Sequence, residues 1–190
     1  IEDYDVAVSR LFYRDLSGRL VAAMRALGEA IAPLDGDVRT NMVTGAMFWG
    51  DPLDRRATKV MPPERMAAIR DAAEAIFPLL DGVRDPAIRH ELGFSALQLT
   101  VLAERYETFT ALVEVLDAAR SGGAPADATV MALDDILARL EAQRRQIPVL
   151  SEEFLERWHG HARHSEVGVS LDRFARQADQ YRHAMAWVRQ

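Results

Sequence analysis

Glu156-Arg-Trp-His159, followed by His161 and His164, is where residue types and spacing in this chain come nearest to chemistry. A glutamate and a histidine three apart share one helix face, and two such pairs with two further glutamates hold a carboxylate-bridged di-iron centre. One such pair is present. Glu91, Glu104 and Glu107 are carboxylates that a ferritin-like bundle could recruit, but none has a histidine three residues on. The cluster therefore reads as exposed histidines near a helix end, where imidazole is at home, and no metal site or cofactor is expected. His90, beside Glu91, takes the same reading.

The remaining acids do not pair into a catalytic set. Asp134-Asp135 and Glu152-Glu153 are adjacent, so on a helix they point about 100° apart and cannot face one substrate. There is no glycine-rich phosphate loop, no Gly-x-Ser-x-Gly elbow and no supported Ser/His/Asp group. No cysteine is present, which removes thiolate zinc, disulfides and a thiol nucleophile, and leaves the compartment open. No catalytic residue is expected in this chain.

Charge narrows the partners. The net charge of -6 argues against nucleic acid, which needs a dense cationic surface. Arg139, Arg144 and Arg145 are interleaved with Asp134, Asp135 and Glu141 and read as a charge-mixed solvated face. No apolar run approaches the roughly 20 residues that cross a bilayer, so no membrane partner is expected. The chain opens Ile-Glu-Asp-Tyr, without an initiator Met or leader pattern, and reads as a single helical domain, residues 1–190, cut from a longer protein.

The elements that would position any site are helices. From Asp85 to about Arg120, steps of four and three give Ile88, Leu92, Ser95, Leu99, Leu102, Tyr106, Phe109, Val113 and Leu116, flanked by Phe94, Leu97, Val101, Leu112 and Val115. So wide an apolar face demands cover on more than one side. Asp85-Pro86 supplies the cap and first-turn proline, and Gly93 is a place where the helix could bend. Before it, residues 4–14 form a short amphipathic helix with Val6, Val8, Leu11 and Phe12 as its apolar side. A second helix, carrying Leu16, Leu20, Met24 and Leu27, reaches about Ile31.

Residues 40–50 are short and apolar, either packing Met47, Phe48 and Trp49 or offering Trp49 to a partner; packing is favoured. A helix from Pro62-Pro63 runs to Leu80, shortened near Pro78. After Ser121-Gly122-Gly123 comes a helix from about Asp127 to Gln146. Pro148 interrupts it, Ser151-Glu152-Glu153 starts another, and Ser170 caps the last. The expected fold is all-α, an irregular multi-helix bundle around one long central helix at about 85–120.

The C-terminal run adds a resemblance. Leu155-Glu-Arg-Trp158, Arg163, Val167 and Ser170-Leu171-Asp-Arg-Phe174 resemble the helical region that follows the barrel in bacterial β-N-acetylhexosaminidase-like glycoside hydrolases, family 20 and relatives. The pattern there reads approximately Leu-Trp-Leu-x-x-Asn-Arg-Pro-x-Gly-Leu-x-x-Ser-Leu. Trp158, Arg163, Val167, Ser170 and Leu171 fall at matching spacing; Ala162, His164 and Glu166 depart from its Asn, Pro and Gly. The resemblance implies a parent enzyme acting on N-acetylhexosaminides. Its barrel would carry an adjacent Asp-Glu pair, with Glu as general acid and Asp orienting the acetamido nucleophile. This chain contains no Asp-Glu dipeptide.

The implied role is thus a non-catalytic helical layer docked on the catalytic barrel of the same chain, with Trp158 and Arg163 as loop or domain contacts. The alternatives are a free-standing protein-interaction module, with residues about 40–50 (Trp49 among them) and Trp187 as candidate contacts, and the ferritin-like bundle.

Overall fold

The computed structural model describes residues 2–32, 50–53, 62–123, 125–161 and 167–189, with backbone alone for Glu2 and for residues 158–161. Among these residues the protein is all-α. The helices are α1 (Glu2–Leu11), α2 (Leu20–Ile31), α3 (Pro63–Glu74), α4 (Phe77–Leu80), α5 (Pro86–Arg120), α6 (Ala126–His161) and α7 (Val167–Val188). The sole strand-like feature among them is an isolated bridge between Asp15 and Val83. The chain divides into two compact units, Ile1–Met47 with Lys59–Glu104, and Phe48–Thr58 with Arg105–Gln190.

In the first unit α1 packs on α2 and α2 on α3. Its core includes Leu20, Leu27, Met66, Ile69, Val83, Phe94 and Leu102. Helix α3 stops at Glu74, four residues ahead of Pro78, whose ring would collide with the Glu74 carbonyl in a continuous helix. Asp85 Oδ1 accepts the amides of Ala87 (2.9 Å) and Ile88 (3.3 Å), which fixes the start of α5. Gly93 does not interrupt α5. It admits Leu80, since a Cβ at this position would lie 3.2 Å from Leu80 Cδ1.

In the second unit α6 packs along α7, around Tyr106, Phe109, Leu112, Ile136, Leu140, Ile147, Leu150, Phe174 and Tyr181. Helix α5 ends in a glycine turn. Gly122 takes φ 68°, and the amides of Gly122 and Gly123 reach back to the carbonyls of Ala119 (3.2 Å) and Ala118 (3.0 Å).

Several boundaries differ from the sequence reading. Two helices are long, not one: α6 spans 36 residues beside the 35 of α5. Pro148 sits inside α6 without ending it, and Ser151-Glu152-Glu153 lie within the helix. Its missing N–H forfeits one bond, to the Arg144 carbonyl. Pro148 is on the exposed side, where water can take that bond, while buried Ile147 and Leu150 anchor the other side. Helix α7 begins at Val167, so Ser170 lies in its first turn rather than at its cap. Helix α2 begins at Leu20, and Leu16 belongs to the turn before it.

Candidate functional site

Of the residues singled out from sequence, Trp49, Arg163 and His164 lie outside the described residues, and Trp158, His159 and His161 are placed on α6 by backbone alone. Glu156 and His90 are exposed. Among the described residues no three of His, Asp and Glu gather around a common point that could hold a metal ion. Glu141 takes bonds from Arg144 (2.9 Å) and Arg145 (3.2 Å). The Arg144 guanidinium, joined by Arg145, draws its carboxyl down to about 2. This arginine-rich stretch is thus charge-mixed, as its sequence implies.

Helix α1 is built inside out. Asp5 and Ser9, four apart and so on one face, are buried at 4% and 0% exposure. Asp5 forms an ion pair with Arg25 of α2. Ser9 Oγ accepts the amide of Val21 (2.9 Å), and the Ser9 carbonyl accepts that of Asp15 (2.9 Å). Directed polar bonds therefore help to orient α1 on α2, beside half-buried Val8.

The turn between the two helices reinforces that orientation. Asp15, fully buried, accepts four bonds on its carboxylate: the Ser17 amide (2.9 Å), the Ser17 hydroxyl (2.9 Å), the Arg19 amide (3.0 Å) and the Leu20 amide (3.0 Å). It thereby satisfies amides at the start of α2 that have no helical acceptor. Burial pushes its pKa up, but the bonds from Leu20, Ser17 and Arg19 outweigh that and hold it below the ordinary aspartate value. Gly82 lies against the carboxylate, since a Cβ on Gly82 would stand 3.0 Å from Asp15 Oδ1, and its carbonyl accepts the Leu16 amide (3.4 Å).

With Asp5 and Ser9 turned inward, Tyr4, Ala7 and Leu11 face out. Tyr4 (68% exposed) and Leu11 (83%) lie seven residues apart, two helical turns, with exposed Ala7 between them. Phe12 (68%) and Leu16 (64%) follow beyond the last turn, with Phe12 edge-on to Tyr13 at 5.0 Å. Of the expected apolar side, Leu11 and Phe12 face solvent, Val6 is 36% exposed and Val8 is half-buried. Pattern alone does not say which side of a short helix points inward. Asp5 and Ser9, four apart, share a face with Val8, and only their bonds to Arg25 and Val21 reveal that this face points inward.

In the second unit, Arg105 is fully buried on α5, its guanidinium 5.8–5.9 Å from the ring centres of Tyr106, Phe109 and Tyr181. It donates to Gln180 Oε1. Burial lowers its pKa, opposed by Tyr181, Tyr106 and Asp51, and burial likewise pushes the Tyr106 phenol to about 12. This closed group is a structural node. A half-open concavity of about 180 Å³ is lined by Leu53, Val113, Leu116, Asp117, Arg120 and Trp187. Trp187 is 45% exposed beneath the Arg120 guanidinium, 6.0 Å away, and Arg120 pairs with Asp117 at 3.4 Å. These side chains offer an indole face and one ion pair, not a nucleophile with a base.

Among the described residues no helix is long and apolar enough to cross a membrane. The chain matches no family model, no curated protein and no solved structure.

Proposed function

We propose that this chain is a non-catalytic helical docking module, and that the outward apolar face of α1 is the surface by which it holds another protein surface. One observation carries this reading. Asp5, Ser9 and Asp15 spend their buried polar bonds on seating α1, while Tyr4, Leu11, Phe12 and Leu16 stay 64% to 83% exposed. Singly exposed apolar residues are ordinary, but four large ones within 13 positions, with Tyr4 and Leu11 on one helix face, support an interaction surface here. A hexosaminidase-type barrel is one narrower form of the partner, and it rests on the resemblance of Leu155 to Phe174 alone.

The test is a Tyr4→Glu/Leu11→Glu double variant, studied with an apolar fluorescent dye at submicromolar protein. The dye is expected to light up on the unaltered chain and much less on the variant, with helix content and melting temperature unchanged. Equal dye response, or collapse of the variant's fold, would contradict the reading. Neither protein should hydrolyse an aryl N-acetylglucosaminide; turnover by the chain would overturn its non-catalytic role.

A further inference from the structure

We infer that the concavity beside Trp187 binds a free aromatic amino acid of phenylalanine size, with its ring in the hollow and its zwitterion on the rim. The site lies within the second unit and is independent of α1. Steps of three and four place Val113, Leu116, Asp117 and Arg120 on one side of α5. Each charged residue stands one turn beyond an apolar one, so floor and rim come from a single helix edge. Leu53 and Trp187 of α7 supply the walls. Leu53, Val113 and Leu116 are half-buried and Trp187 is exposed, so each keeps apolar surface for a guest.

Size sets the ring. The hollow measures about 180 Å³, and a dry cavity of about 150 Å³ is enough for benzene. An indole wall favours a flat aromatic guest, which packs against it offset or edge-on.

The rim selects the head group. Arg120 and Asp117 stand 3.4 Å apart, both exposed, a donor-only cation beside an acceptor-only anion. A carboxylate drawn to Arg120 comes up against Asp117, and an ammonium drawn to Asp117 comes up against Arg120. An α-amino acid carries both charges on one carbon and lies antiparallel to the pair, each end meeting its opposite. A lone acid or a lone amine does not. Arg120 already rests over the indole, 6.0 Å from its centre, which lowers the cost of ordering it.

Fluorine NMR of the full chain carrying 5-fluorotryptophan tests this, with Trp187→Phe assigning the Trp187 signal among the three tryptophans. L-phenylalanine should shift that signal saturably, with a Kd on the order of 1 mM for so small a ligand. Phenethylamine and 3-phenylpropionate, each with a single charge, should bind about fivefold more weakly. Arg120→Gln should weaken phenylalanine binding and remove the penalty against phenethylamine; Asp117→Asn should do the same for 3-phenylpropionate. No saturable shift, or a shift confined to Trp49 or Trp158, would overturn the inference. So would equal binding of N-acetylphenylalaninamide, which would assign the hollow to an aromatic side chain of a peptide instead. The ligand series on the unaltered chain decides by itself, whether or not the variants fold.

Discussion

Arg105 of α5 donates a hydrogen bond to Oε1 of Gln180 on α7 from a position fully closed to solvent. A buried guanidinium keeps its charge, so it must be compensated where it sits. Gln180 and the rings of Tyr106, Phe109 and Tyr181 do this. Removing the arginine strands the amide and leaves a cavity among those rings. Arg105→Ala is expected to lower stability by about 3 kcal/mol or more, read from urea denaturation. Arg105→Lys should recover little of it, because an ammonium matches neither the planar stacking nor the reach of guanidinium.

The Asp15 carboxylate gives the fold an acid-sensitive joint. Its pKa is lowered in the folded chain, so its stabilisation is fully present above the unfolded value of about 3.9 and is lost as pH falls through the folded value. Asp15→Ala should cost about 1–2 kcal/mol at neutral pH. The gap between variant and unaltered chain should shrink steadily below about pH 4. Thermal melts across pH would show this; a gap constant down to low pH would contradict the role of the ionised form.

Gly28 lies inside α2 with nothing within 4 Å of where a Cβ would stand. Gly28→Ala should therefore raise stability by about 0.5–1 kcal/mol through helix propensity alone, visible as a higher melting temperature with unchanged helix content.

Pro148 offers the converse experiment. It is exposed within α6 and denies the Arg144 carbonyl its helical partner. Pro148→Ala should stabilise the protein by about 1–3 kcal/mol. A destabilised variant would mean that the ring shapes the helix in a way the rest of the protein needs.

These residues also show what the amino-acid sequence discloses and what it conceals. Both ends of α5 were legible because their signals are local: Asp85-Pro86 supplies an acceptor and a preset φ, and Gly122-Gly123 supplies the left-handed turn. Continuity through Pro148 was not legible, because it depends on Ile147 and Leu150 holding the helix from the buried side. Periodicity marked Leu11 and Phe12 as one side of a short helix. It did not say that Ser9 and Asp5 would win the inward side through bonds to residues 12 and 20 positions away. The Arg105 group was hidden for the same reason. Tyr106 and Phe109 read as core, but a guanidinium enclosed with them requires Gln180 and Tyr181, which lie more than 70 residues on.

The inverted seating of α1 is open to a direct measurement, because the chain has no cysteine and a single introduced thiol reports only its own site. Ser9→Cys and Leu11→Cys would each be reacted with a maleimide under native conditions at submicromolar protein, alongside the same variants in denaturant. The expected result is that the thiol at position 11 reacts nearly as fast in the folded chain as in the unfolded one, while that at position 9 is protected by orders of magnitude. Protection at position 11 with free reaction at position 9 would show the apolar face buried, and the docking surface on α1 would not exist.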